Sequence, residues 1–205
     1  MLNPIYPVKI LHPTETAILN TALSQLLIGN VQQLSVTRLV KLSGLSRSVF
    51  YQHFSSKEDL LAGLLLADEV GLAEAMKPAL AEKDLKTTLR SYLKYRLQDI
   101  DKYRLMVELE TTLSAEMEPP KRFKDWRRLR KIHADQIRSI AVQDRPGSPN
   151  DDQDRYDFYF GLVWALANGV ASISNTDAYT QLIKDRRGFS RYLLELMDTW
   201  IAEDA

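Results

Sequence analysis

Between Ser35 and His53 the chain has room for two short helices, with Gly44 set between them. Ser35 and Ser46 each precede a run of helically spaced apolar residues, so each is placed to cap a helix start. Leu34 and Leu39 stand at the spacing of a hydrophobic staple across the first start. The spacing predicts helices over 36–43 and 47–53 joined by "SGLS", and two short helices on a glycine-containing turn make a helix-turn-helix.

The remainder keeps the helical period, and no segment alternates convincingly with period two, which predicts an all-α fold. A first helix opens at Pro13 with Glu15 in its first turn. Its buried stripe is Ile18, Leu19, Ala22, Leu23, Leu26 and Leu27, and it stops at Gly29-Asn30, both tolerant of a left-handed backbone. "SSKED" offers a capping box in either register, Ser55 with Glu58 or Ser56 with Asp59, and opens a helix that runs to Pro78. Further helices are expected at about 84–101, 103–117, 120–141, 154–174 and 177–202, about nine in all. Gly188 leaves open whether the last one is split. The division drawn is a head at 1–57 and a helical body at 58–205, within the helix after Lys57.

With no cysteine, disulfides, thiolate metal sites and cysteine nucleophiles are excluded. Histidine stands only at positions 12, 53 and 133, and there is no HExxH, Ser-His-Asp signature, P-loop or dinucleotide fingerprint. The reading is therefore not an enzyme, with no cofactor and no metal site. The N-terminus lacks the pattern of a signal peptide, and no apolar run reaches the roughly 18 residues of a membrane span. A cytoplasmic protein without a membrane partner is expected. The formal net charge of zero hides an asymmetry: residues 1–57 carry five basic groups against Glu15 alone, so the head is basic and the body acidic.

Helical phase divides the aromatic cluster of 47–54. Phe50 and Phe54 share one face and, with Leu39, Val40 and Leu45, make a miniature core. Arg47, Ser48, Tyr51 and Gln52 point elsewhere, with His53 at the edge. The second helix of such a pair enters the DNA major groove, which makes Arg47, Ser48 and Gln52 candidates for base edges. Tyr51, His53 and the Ser46 hydroxyl are candidates for phosphates. Lys57 lies at the positive end of a helix macrodipole, either as part of a phosphate site or as a solvated, salt-screened lysine.

"LSVTRLVKLSGLSRSVFYQHFSSKEDLL" (34–61) resembles the N-terminal signature of the tetracycline-repressor (TetR/AcrR) family of transcriptional regulators. The resemblance implies a three-helix DNA-binding head on a helical body that binds a small-molecule effector and forms a homodimer. Its DNA-contacting positions map onto Ser35, Ser46, Arg47, Ser48, Val49, Tyr51, Gln52, His53 and Lys57. Asn30 replaces the usual glycine, and Val49 replaces a small or polar residue and could meet a thymine methyl. The first helix also lacks the usual basic residues. The function implied is a ligand-responsive repressor that binds a pseudo-palindromic double-stranded operator. The alternative is an interaction or ligand-binding protein of the same fold that has lost DNA binding.

In the body, Gly161, Ala165, Gly169 and Ser172 form a small-residue stripe, read either as the dimer interface or as ordinary helix packing. Tyr92, Tyr95, Met106, Trp126, Tyr159 and Trp164 either line the effector pocket or pack a core. "KRFKDWRRLRKIHADQIR" (121–138) is strongly basic, with a less polar face of Phe123, Trp126, Leu129, Ile132 or His133, Gln136 and Ile140. The reading favoured is a solvated helix paired with acids such as Asp151, Asp152 and Asp154. A sharper one has Arg127 and Arg128 attract an anionic effector.

Overall fold

The computed structural model describes residues 12–144 and 149–203, with side chains for 12–140 and 157–199. Ten α-helices and no strand are present among the described residues. They are α1 Pro13–Ile28, α2 Val36–Ser43, α3 Arg47–His53, α4 Lys57–Glu82 and α5 Leu85–Gln98, then α6 Ile100–Ser114, α7 Lys121–Asp144, α8 Pro149–Ile173, α9 Asp177–Leu182 and α10 Arg186–Glu203. The tenth helix arises because the expected 177–202 segment is broken at Ile183–Asp185 and not at Gly188. Gly188 lies in the first turn of α10, where its N–H donates to Asp185 Oδ1 at 2.8 Å. Part of the expected joint at 144–154 falls outside the described residues.

Two further ends differ from expectation. Gly29 stops α1 with φ −112°, outside the left-handed region, and its N–H still donates to Gln25 O. Asn30 Oδ1 then accepts from Gln33 N–H at 2.9 Å, so a side-chain turn redirects the chain. Pro78 does not end α4, which continues to Glu82. A proline inside a helix costs about 3 kcal/mol; the burial of Met76 and Ala79 on either side favours carrying the helix through it. The actual end is at Lys83, with φ 57°, where Lys83 N–H bonds Leu80 O and Asp84 N–H bonds Ala79 O. These two bonds close the helix in a Schellman motif.

The chain forms two compact units, Met1–Val70 with Glu108–Trp126, and Gly71–Val107 with Arg127–Ala205. In the first, Ile18, Leu19, Ala22 and Leu26 of α1 are buried, whereas Leu27 is 41% exposed and leaves the expected stripe. Leu39, Phe50, Phe54, Leu60 and Leu61 complete this core. Gly63 lets α4 come close: a Cβ there would stand 3.0 Å from Phe54 and 3.2 Å from Leu19.

The second unit is built on longer helices. Leu89, Tyr92, Leu93 and Leu97 of α5 pack with Leu72, Met76, Val163, Ala167, Val170, Leu193 and Met197. Lys86 Nζ donates to Asp198 O at 2.9 Å and Arg90 pairs with the Asp198 carboxylate, tying α5 to α10. On α7, His133 is buried and Ile132 only half-buried, and Ile137 takes the buried place expected of Gln136, which is exposed.

Candidate nucleic-acid interface

The two short helices owe their ends to local chemistry. Ser35 Oγ accepts from Arg38 N–H at 3.1 Å and Ser46 Oγ from Val49 N–H at 3.2 Å, each satisfying a donor that a helix start leaves unpaired. Gly44 adopts φ 67° between them, a left-handed conformation that side-chain-bearing residues rarely take. The turn thereby sets α3 against α2, and Arg47 Nη2 donates to Thr37 Oγ1 to link the two helix starts.

Phase then sorts the side chains of α3. Phe50 and Phe54 are fully buried, their ring centroids 5.7 Å apart. Arg47, Ser48, Tyr51 and Gln52 are exposed, while Val49 and His53 are half-buried. Tyr51 packs edge-on against Phe50 at 5.2 Å, so its ring is oriented while its hydroxyl end stays on the surface. The His53 and His12 rings lie 5.3 Å apart, and His12 caps α1 through Nδ1, which accepts from Thr14 N–H.

Lys57 is not a free cation. Its Nζ donates to Val31 O at 2.6 Å, across the loop between α1 and α2. An ammonium carries three donors, so this bond does not exhaust it. At the same helix start the Ser56/Asp59 register of the capping box is used: Ser56 Oγ accepts from Asp59 N–H, and Asp59 Oδ2 accepts from Ser55 N–H and Ser55 Oγ.

Sequence reasoning missed Arg122. Its Nη1 donates to Asp59 Oδ2 at 2.5 Å, and its Nη2 to Glu15 Oε1 at 2.9 Å and His53 O at 2.8 Å. Its guanidinium also stands 4.7 Å from the Phe54 ring centre. The local signal was the reverse of informative, since Arg122 stands in a run of basic residues that is mostly solvated. Elsewhere in α7, Lys121 pairs with Asp125, Lys131 with Asp135, and Arg138 with Asp135 and Asp157. The bond from Lys131 holds the Asp135 carboxyl below its ordinary value. Asp151, Asp152 and Asp154, the partners expected for α7, have side chains outside the described residues.

Residues 18–64 match the model of "Bacterial regulatory proteins, tetR family". This stretch of the chain is similar to the N-terminal domain of the TetR family. Within the TetR-family match fall α2, α3, the Ser46 cap and Lys57, together with Phe50 and Phe54 beneath them. The fold agrees over nearly the whole length. A bacterial regulatory protein in the tetR family from Rhodococcus RHA1 is 16% identical with a TM-score of 0.64, covering 91% of this chain and 95% of its own. A transcriptional regulator (TerR/AcrR family) from Aquifex aeolicus VF5 is 18% identical with a TM-score of 0.64, covering 94% and 99%. The TetR family transcriptional regulator PfmR from Thermus thermophilus is 21% identical with a TM-score of 0.61, covering 88% and 96%. No curated protein matches the chain.

The residues expected around an effector fall in both units. Tyr92 and Met106 are buried, and Tyr95 and Tyr159 half-buried, in the second unit. Trp126 belongs to the first unit and stacks on Phe123 at 5.1 Å. Trp164 is 44% exposed on α8. Sequence reasoning also missed Arg96, buried in the second unit with its guanidinium 4.8 Å from the ring centre of Tyr103, 5.3 Å from Tyr92 and 5.6 Å from Tyr95. On α8, Ala165, Gly169 and Ser172 are exposed and Gly161 half-buried, and a Cβ at Gly161 or Gly169 would meet nothing within 4 Å. Among the described residues, no helix is long and apolar enough to cross a membrane.

Proposed function

We propose that this chain is a cytoplasmic, ligand-responsive repressor of the TetR family that binds a pseudo-palindromic operator as a homodimer, with no catalytic role. Residues 1–57 read the DNA, and residues 58–205 bind a small-molecule effector and dimerise. The observation that carries the DNA reading is the division of α3, with Phe50 and Phe54 sunk in the core and Arg47, Ser48, Tyr51 and Gln52 presented together. A seven-residue recognition helix reads few base pairs, so two half-sites related by the dimer axis supply the remaining contacts. The exposed small residues of α8, beside the exposed Phe158 and Leu162, are the surface proposed for that dimer. An effector that binds the DNA-incompetent arrangement more tightly would release the operator by linkage.

Two observations favour the alternative, a protein of this fold that no longer binds DNA. Arg47 and Lys57 are both engaged within the first unit. Fluorescence anisotropy with the duplex flanking the chain's own gene separates the readings. Wild type should bind, with Tyr51→Ala weakening affinity about tenfold or more and Lys57→Ala reducing the salt slope by about 1. Equal affinity and equal salt slope for wild type and both variants would overturn the assignment.

A further inference from the structure

Arg122 meets three helices through one side chain. Glu15 lies in the first turn of α1, Asp59 in the first turn of α4, and His53 is the last residue of α3. Both carboxylates are largely buried, with side chains 11% and 8% exposed, and that of Arg122 is 26% exposed. The planar, multi-donor guanidinium suits such a site, where the single point charge of lysine would not reach all three oxygens.

The bond to His53 O is the informative one. The last carbonyls of a helix have no partner within it and lie at the negative end of the macrodipole. A seven-residue helix has little stability of its own, so its ends and its buried face determine where it sits. Ser46 holds the N-terminal end, and Phe50 and Phe54 hold the face. Arg122, supplied by α7 from 69 residues away, holds the C-terminal end. Asp59 ties the same guanidinium to Ser55, so the α3–α4 corner closes around it.

We propose that Arg122 is a positioning residue for DNA recognition: it touches no base, and it sets the angle of α3 by clamping His53 O, Glu15 and Asp59 together. The consequence for DNA rests on the repressor reading; the clamp itself does not.

Removing the cation alone would strand two buried carboxylates and could unfold the unit. The test therefore pairs Arg122→Met with the neutralised triple variant Glu15→Gln, Asp59→Asn, Arg122→Met, and adds Arg122→Lys. Hydrogen exchange on the full chain should show the Phe50–Phe54 amides of the triple variant opening about tenfold faster than wild type, or about 1.4 kcal/mol. Its melting temperature should stay close to wild type. Anisotropy should show its preference for the gene-flanking duplex over a random duplex falling about tenfold, with random-duplex affinity within about twofold. Arg122→Lys should recover part of the preference. A triple variant with wild-type exchange at α3, or with undiminished preference, overturns the proposal. Wild type without sequence preference defeats the repressor reading instead, and the exchange measurement still decides the clamp.

Discussion

Arg122 in the first unit and Arg96 in the second each stand against aromatic rings, and the two are held in different ways. Arg122 reaches three oxygens on three short-range helix ends and lies over one phenyl ring. Arg96, 7% exposed, stands among the rings of Tyr92, Tyr95 and Tyr103. Burial pushes the Tyr103 phenol well above its ordinary value, with Tyr92 beside it adding to the rise. The difference follows from helix length. The helices α2 and α3 each bury one residue, Leu39 and Phe50, whereas α5 buries six. Apolar burial is worth about 25 cal/mol per Å², so two short helices with one buried side chain each need directional bonds to reach a single arrangement. A longer helix such as α5 can rely more on packing.

The sharpest way to break this contrast is Phe54→Ala. Its side chain is fully buried, touches Phe50 and supports Arg122, so its loss removes packing and clamp together. A destabilisation of about 3–5 kcal/mol is expected, read by denaturant melting, with the loss confined to probes in the first unit. A loss shared equally with the second unit would show that single anchors are not what distinguishes the first.

Glycines probe the second unit at smaller scale. At Gly71 a Cβ would collide with the Tyr95 hydroxyl, which also accepts from Lys102 Nζ at 3.3 Å. Gly71→Ala should cost about 1–3 kcal/mol, with partial rescue by Tyr95→Phe in a double-mutant cycle. At Gly169 there is open space, so Gly169→Ala should gain about 0.5–1 kcal/mol in the isolated chain. A weakened self-association of the same variant in sedimentation would place that face in the dimer.

The most local effect concerns Asp84, the cap of α5. The Thr87 hydroxyl and, next, the Thr87 N–H bond its carboxylate and hold it below its ordinary value. Its folded-state value is depressed, so its contribution is present above the unfolded value of about 3.9 and lost as pH falls through the folded one. Asp84→Ala should cost about 1 kcal/mol at neutral pH, and the difference from wild type should shrink in acid melts.

Legibility tracked the range of the interaction. Ser35, Gly44, Ser46 and Ser56 could be read because a cap or turn bonds residues three or four positions away. The division between Phe50 and Tyr51 could be read because it is a matter of helical phase. Asp185 before Arg186 is a helix start of the same local kind, since Gly188 N–H bonds its carboxylate three positions on. The continuation past Pro78 was not readable, since it depends on what Met76 and Ala79 pack against. Lys57 looked like an unpartnered cation because Val31, its acceptor, lies 26 positions away.

Alone, the sequence determined an all-helical chain, the placement of its first helices, the family of its N-terminal domain and the face that α3 presents. These rest on bonds and periodicities that close within one or two turns. Only the tertiary structure decided that Glu15, Asp59 and His53 O converge on Arg122, the farthest of them 107 positions away. No local pattern separates a half-buried arginine with three acceptors from its solvated neighbours in the same helix, because the difference lies in which distant oxygens the fold brings within reach.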